Sequence, residues 1–404
     1  MPIDPSLQHG RRARLDVLPS PDPDSRRQSE HMVKLLTDQI VKFGGRLSFD
    51  RFMELALYAP GLGYYSAGSR KFGDSGDFIT APETSNLFAR CLARQCRQVL
   101  DEIGGGDVLE FGAGSGVLAA DLLLELQTLG SLPDRYLIVE VSPDLKARQQ
   151  ALLKQRLPEL TDRIVWLEGF PRAGFRGLVV ANEVLDAMPV HRFRVEQERV
   201  REQYVELAED RLRLTWGEAS PALLNAVQQL QEMTRGLPAD FESELNLRAA
   251  PWLRALSEKL TAGLILLIDY GYSRAEYFHP QRNRGTLMCH YRHRAHADPL
   301  FFPGLQDITA NVDFTSLAEA ALEVGLKVVG YTTQAFFLLG CGLERLLSES
   351  NPEDVQRHFL LMQGVKRLTL PSEMGERFKV LGLSRGLSAA VPIGFSLQDM
   401  RGRL

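Results

Sequence analysis

The chain has 404 residues, of which 44% are hydrophobic and 24% charged. That is enough apolar material for a full α/β domain with substantial additions, and too much for a disordered polypeptide. A formal net charge of -4 speaks against a nucleic-acid partner, and Cys91, Cys96, Cys289 and Cys341 include no CxxC pair and read as reduced thiols.

The opening stretch lacks the apolar centre of a secretory signal, and its aspartates speak against an Arg-rich transit peptide. No run reaches the roughly 18 apolar residues of a spanning helix. The expectation is a cytoplasmic protein without integral membrane association, its residues 1–28 flexible. From Ser29 onward Met32, Leu35, Leu36 and Ile40 recur at helical spacing up to Gly44 and Gly45. Ser48 can cap a second helix carrying Phe52, Met53, Leu55 and Ala56. Residues 58–85, rich in Gly and aromatics, read as a long structured loop, of a length that usually binds something or moves. Thr84 or Ser85 then starts a helix holding Leu87, Phe88, Cys91, Leu92 and Cys96. Residues 29–106 together form an N-terminal helical and loop cover.

Asp107 opens the core. VLEF predicts a first strand and 117–126 its helix, YLIVEV a second strand with a helix over 144–153, and RIVWLE a third. A fourth lies in GLVVANEVLDAMPV and ends near Asn182. Connections long enough for crossover helices favour parallel pairing and right-handed units. Residues 107–193 are thus the first part of the core. The polar-alternating runs RVEQ and QYVELAEDRLRLTW predict antiparallel strands inside an insertion, 194–262. LILLIDYGY restores a buried strand at 264–269, and 263–340 completes the core with GLKVVGY and TQAFFLLG as a closing strand pair. Residues 341–404 are a helical and extended addition.

Gly112, Gly114 and Gly116 stand where the first strand passes into its helix. Glycine there admits unusual backbone angles and close approach to a ligand, and the helix's first amides face the same place. Glycines also serve tight turns and close packing, so the run alone leaves both readings open. The dinucleotide pattern wants a further glycine where this chain has Val117. S-adenosylmethionine has no pyrophosphate, yet its ribose wants an acidic acceptor, and Glu140 at the end of YLIVE suits that role unless it is a solvent charge. Glu168, after RIVWL, is a weaker candidate for the adenine side, with a solvated or capping role as its alternative.

NEVLDAMPV places Asn182, Glu183 and Asp186 just past the fourth strand, where ligands of an open α/β sheet gather. Glu183 and Asp186 are three apart, so a helical turn would present both carboxylates on one face. As helix-start acids they would merely offset the dipole. CHYRHRAH holds Cys289, His290, His293 and His296 without a zinc spacing. With Arg284, Arg292 and Arg294 it reads as an exposed basic loop or docking surface, and no metal site is expected. His191 reads as a surface or local hydrogen-bonding residue.

The order of the blocks GDFITAPETSNLFA, VLEFGAGSGVLAADLL, VEVSPDLKARQ, NEVLDAMPVHRF, LLIDYG, DITANVDFTSLA and MGERFKVL resembles the MidA-like class I methyltransferases, a family that includes a mitochondrial complex I assembly factor acting on protein arginine. The blocks cover nearly everything from about Leu47 onward. The resemblance implies an α/β, Rossmann-like class I methyltransferase fold with a mostly parallel seven-stranded sheet, its last strand antiparallel. It also implies S-adenosylmethionine as methyl donor and an arginine-containing protein as substrate, with Asn182 among the cofactor contacts and Glu183 as the leading substrate contact. Asp186 would organise the same loop, Asp77 and Asp269 would help close the pocket, and Tyr270 would be a pocket wall. The family's glycine block is nearer GPGRG, so Ala113 and Ser115 stand at its variable positions and the arginine's contact is lost. A noncatalytic, cofactor-binding assembly or docking factor is the alternative, and the oligomeric state is unassigned.

Overall fold

The larger sheet has eight strands among the described residues, seven of them on one continuous path and labelled in chain order β1 (Asp107–Phe111), β2 (Tyr136–Val139), β3 (Ile164–Leu167), β4 (Phe175–Asn182), β5 (Leu260–Tyr272), β6 (Lys327–Thr333) and β7 (Phe378–Arg385). The computed structural model describes residues 18–67, 80–197, 199–351, 353–388 and 391–404. The strands lie in the order β6-β7-β5-β4-β1-β2-β3. From β5 to β3 every pairing is parallel, and β7 runs antiparallel to both neighbours. The two-residue strand Val312–Asp313 pairs with the end of β5, off this path.

Successive side chains of a strand point to opposite faces, and both faces of this sheet are covered. Val108, Leu178 and Leu264 pack with side chains of the helices Asn86–Ile103 and Val117–Thr128. Leu109, Val179 and Ile265 pack on the other face with the helices Ala249–Ser257 and Phe314–Glu323. Such two-sided burial is why these strands read as continuous apolar runs rather than alternating ones.

The chain divides into two compact units, and the one holding this sheet comprises Ile79–Met188, Asn246–Arg282 and Asn311–Leu404. The helices Asn86–Ile103 and Ala249–Ser257 therefore belong with the core, whereas the sequence reading assigned them to the cover and the insertion. A second difference concerns the closing pair. TQAFFLLG does not form a strand: Gln334–Gly340 is a helix, capped by the Thr333 side chain. The antiparallel neighbour of β6 is β7, from the C-terminal addition. An apolar run this short has no periodicity that separates helix from strand.

The other unit contains residues 18–67, Pro189–Leu245 and Asn283–Ala310. The strands Arg46–Ser48, Arg199–Ala208, His191–Glu196 and Phe241–Leu245 pair antiparallel in that order, with Arg211–Glu218 added on Arg199–Ala208. The expected antiparallel strands of the insertion are among them. Helix Pro23–Lys42 starts before Ser29, inside the stretch expected to be flexible, because the Asp22 carboxylate accepts from Asp24 N and Ser25 N ahead of Pro23. CHYRHRAH is a hairpin rather than an exposed loop. Met288–Tyr291 pairs with Arg294–His296, Cys289 opposite His296, and both of those side chains are buried. Arg292 and His293 make the turn with φ of 47° and 61°, the left-handed angles a two-residue hairpin turn requires. Among the described residues no helix is long and apolar enough to cross a membrane.

Candidate active site

The carboxyl ends of β2, β1, β4 and β5 lie side by side, so the residues just past them converge. Gly112, Gly114 and Gly116, after β1, have φ of 64°, 53° and 87°, angles that side chains with a Cβ rarely adopt. Gly112 N donates to Val139 O of β2 at 3.0 Å, and Gly116 N to Ala113 O at 2.8 Å. Gly116 leads into the helix Val117–Thr128, whose first amides and dipole make this end electropositive. Ser115 Oγ accepts from Val117 N at 3.3 Å and donates to the carboxylate of Glu83, on the short helix Ala81–Thr84.

Glu140 follows β2. Its Oε1 accepts from Ser142 N at 2.9 Å and its Oε2 from Gln149 Nε2 at 2.9 Å. Gln149, on the helix Pro143–Arg156, is 0% exposed. Its Nε2 also donates to Gly114 O at 3.0 Å, and its Oε1 accepts from Trp166 Nε1 at 2.9 Å. One amide therefore ties the acid to the glycine turn and to β3. Sequence reasoning missed Gln149, Trp166 and Glu83, whose roles depend on partners far along the chain. Glu168 lies exposed just past β3. Nearby, the ring of Phe170 meets that of Phe111 edge-on at 5.9 Å, and Phe111 meets Trp252 at 5.0 Å.

Past β4 the expected helical turn does not form. Glu183 instead takes a φ of 54°, a conformation uncommon for any residue but glycine and frequent at functional sites. Its N–H donates to Ile268 O of β5 at 2.9 Å. Glu183 Oε1 accepts from Asn182 Nδ2 at 3.2 Å and from Ala81 N at 3.4 Å. A Cβ on Gly112 would come within 3.2 Å of Val184, so the glycine turn and this loop are in contact. Asp186, 5% exposed, accepts a hydrogen bond from the Tyr270 hydroxyl through Oδ2. Asp186 Oδ1 and Asn182 Oδ1 are buried without a hydrogen-bond partner. Asp269, 1% exposed, accepts from Leu185 N at 3.0 Å, Asp186 N at 3.2 Å and Tyr270 N at 2.9 Å. These bonds tie the loop past β4 to β5.

Burial pushes the Asp186 carboxyl up to about 6, opposed by the Tyr270 hydrogen bond. Asp269 is pushed well above the usual carboxylate range by burial and then by the charges of Asp186 and Glu183, against the main-chain donors that pull it down. Glu183 and Asp186, past β4, thus lie beside Asp269 of β5, and the charges of Glu183 and Asp186 add to burial in raising Asp269. Asp77 lies outside the described residues. His191 Nδ1 sits 2.8 Å from Glu202 Oε1 and 3.6 Å from Asp50 Oδ1 in the other unit, in the one metal-capable grouping among the described residues. Glu202 there also accepts from Ser220 N at 2.6 Å.

Residues 91–332 match a family described as "Putative S-adenosyl-L-methionine-dependent methyltransferase". The Drosophila melanogaster relative named Protein arginine methyltransferase NDUFAF7 homolog, mitochondrial, is 30% identical, with 92% of this chain and 89% of that protein covered. The Homo sapiens Protein arginine methyltransferase NDUFAF7, mitochondrial, is 30% identical over 85% of this chain and 81% of its own. A crystal structure of a Burkholderia thailandensis protein bound to S-adenosyl-homocysteine is similar at a TM-score of 0.91 and 42% identity, covering 96% of this chain and 100% of that one. The names overturn the expectation of a cytoplasmic protein, since both curated relatives are mitochondrial. That expectation rested on a missing leader signature, and an absent signature carries no information about compartment.

Proposed function

The chain belongs to this family of S-adenosyl-L-methionine-dependent methyltransferases, and from that premise we propose that it methylates an arginine side chain of a protein substrate. The observation that carries the arginine reading is the cluster of Glu183 and Asp186, past β4, with Asp269 of β5, in which Asp186 Oδ1 is buried without a hydrogen-bond partner. The names of the relatives point the same way.

The glycine turn, with three left-handed residues at a helix N-terminus, and the acid Glu140 one strand away fit a nucleoside with a ribose diol and an amino-acid end. The bound donor supplies a methyl group on a sulfonium, whose S–C bond breaks as the N–C bond forms. Positioning then carries much of the catalysis. A guanidinium stays protonated near neutral pH, its electron pairs delocalised. A Glu183 carboxylate paired with its planar fork aligns it and draws positive charge away from the attacking nitrogen. Asp269 and Tyr270 hold Asp186 and the loop, and the proton shed by the methylated nitrogen has carboxyl oxygens nearby to accept it.

Incubation with methyl-labelled donor and arginine-bearing proteins, followed by acid hydrolysis, tests this reading. Label recovered as methylarginine is expected. Label on another residue type overturns the arginine assignment, and donor binding without transfer to any verified target overturns catalysis.

A further inference from the structure

Glu83 belongs to none of the residues discussed so far as donor or substrate contacts, yet its carboxylate is anchored on the glycine turn. It accepts the hydrogen bond of the Ser115 hydroxyl, and Ser115 Oγ itself accepts from Val117 N at 3.3 Å. The helix that carries Glu83 also donates from Ala81 N to Glu183 Oε1 at 3.4 Å. A half-buried acid is therefore held against the turn from outside the β1 segment.

The amino-acid end of the methyl donor is a zwitterion. The first amides of the 12-residue helix Val117–Thr128 suit its carboxylate, but they offer nothing to its ammonium, which has three donors and needs an acceptor. The neighbouring acids are placed differently. Glu140, one strand out, is bonded to Ser142 and Gln149. Glu110 is 3% exposed and bonded to the Tyr136 hydroxyl. Glu183 and Asp186 lie past β4, beside Asp269 of β5. We propose that Glu83 binds the α-ammonium of the methyl donor, oriented by Ser115. This rests on the reading that the donor lies across the glycine turn with its ribose at Glu140.

Calorimetric titration with two probes tests it: S-adenosylhomocysteine, and the same compound lacking its α-amino group. The wild-type chain should prefer the amino compound by about tenfold or more, the scale of one charged hydrogen bond. Glu83→Gln should bind both alike, chiefly by losing affinity for the amino compound, with an unchanged melting temperature. A purely structural defect would weaken both probes together. Should Glu83→Gln not fold, Glu83→Asp, whose carboxylate is drawn back by one methylene, should show a reduced preference. An undiminished preference in a folded variant, or no preference in the wild type, overturns the proposal. Glu140→Ala separates it from its premise. Weakening of both probes by Glu140→Ala keeps the donor on this turn whatever Glu83 does, whereas unchanged affinity for both removes the donor from this turn and the proposal with it.

Discussion

Gln149 donates from Nε2 to Glu140 Oε2 at 2.9 Å, from a side chain with no exposed surface. The orientation of that amide is set by Trp166, because an indole N–H can only donate and so demands the amide oxygen. Both amide protons are left for Gly114 O and Glu140. Gln149→Met should therefore weaken S-adenosylhomocysteine binding by about 5- to 100-fold, the range of one or two buried hydrogen bonds. Turnover at saturating donor should stay close to wild type. Calorimetry with steady-state kinetics checks this, and a loss confined to turnover would show that Gln149 does not act through Glu140.

Glu183→Gln keeps size and removes charge, so methyl transfer should fall more than donor affinity. Losing a charge-specific contact of about 2–4 kcal/mol slows chemistry by about 30- to 1000-fold. Near-normal single-turnover rates with saturating donor and target would reject the assignment. A selective chemical defect in Asp186→Asn instead would exchange the two roles.

The pH profile follows from Asp186, whose carboxyl sits at about 6. Protonation removes charge from the loop that positions Glu183, so kcat/KM for the protein substrate, at saturating donor, should fall as pH drops through about 6. The Tyr270 hydroxyl holds this carboxyl down, so Tyr270→Phe should move the acid limb to higher pH. A limb that stays in place in Tyr270→Phe would assign it to another group.

Glu110 is buried in β1 and raised to about 7, chiefly by burial, from 4.5. A carboxyl raised on folding stabilises the fold fully below its unfolded value and loses that contribution as pH rises through the folded one. Glu110→Gln, still able to accept from Tyr136, should leave stability at pH 4.5 little changed. At pH 8 it should raise stability by up to about 3 kcal/mol. Urea unfolding of donor-free protein at the two pH values measures this, and equal effects at both would contradict it.

The parallel strands were legible because each is a short continuous apolar run, the mark of a strand buried on both faces. The glycines and Glu140 were legible because strand, turn and acid-tipped strand follow one another locally. β7 was not, since the apolar run of Gln334–Gly340 competed with it and only packing decides between helix and strand. Glu183 was placed by its strand end, but its left-handed backbone leaves no trace in residue type. Gln149 and Glu83 acquire their roles from crossover packing, which brings Trp166 and Ser115 to them across long stretches of chain. The compartment was misread because an unrecognised signature says nothing about compartment.

A crystal structure of the chain with S-adenosylhomocysteine and an arginine peptide tests the central claim most directly. The account predicts ribose hydroxyls on Glu140, and a guanidinium within hydrogen-bond distance of Glu183 and directed toward the donor sulfur. An arginine seated away from Glu183, Asp186 and Asp269, with the donor in place, would contradict it.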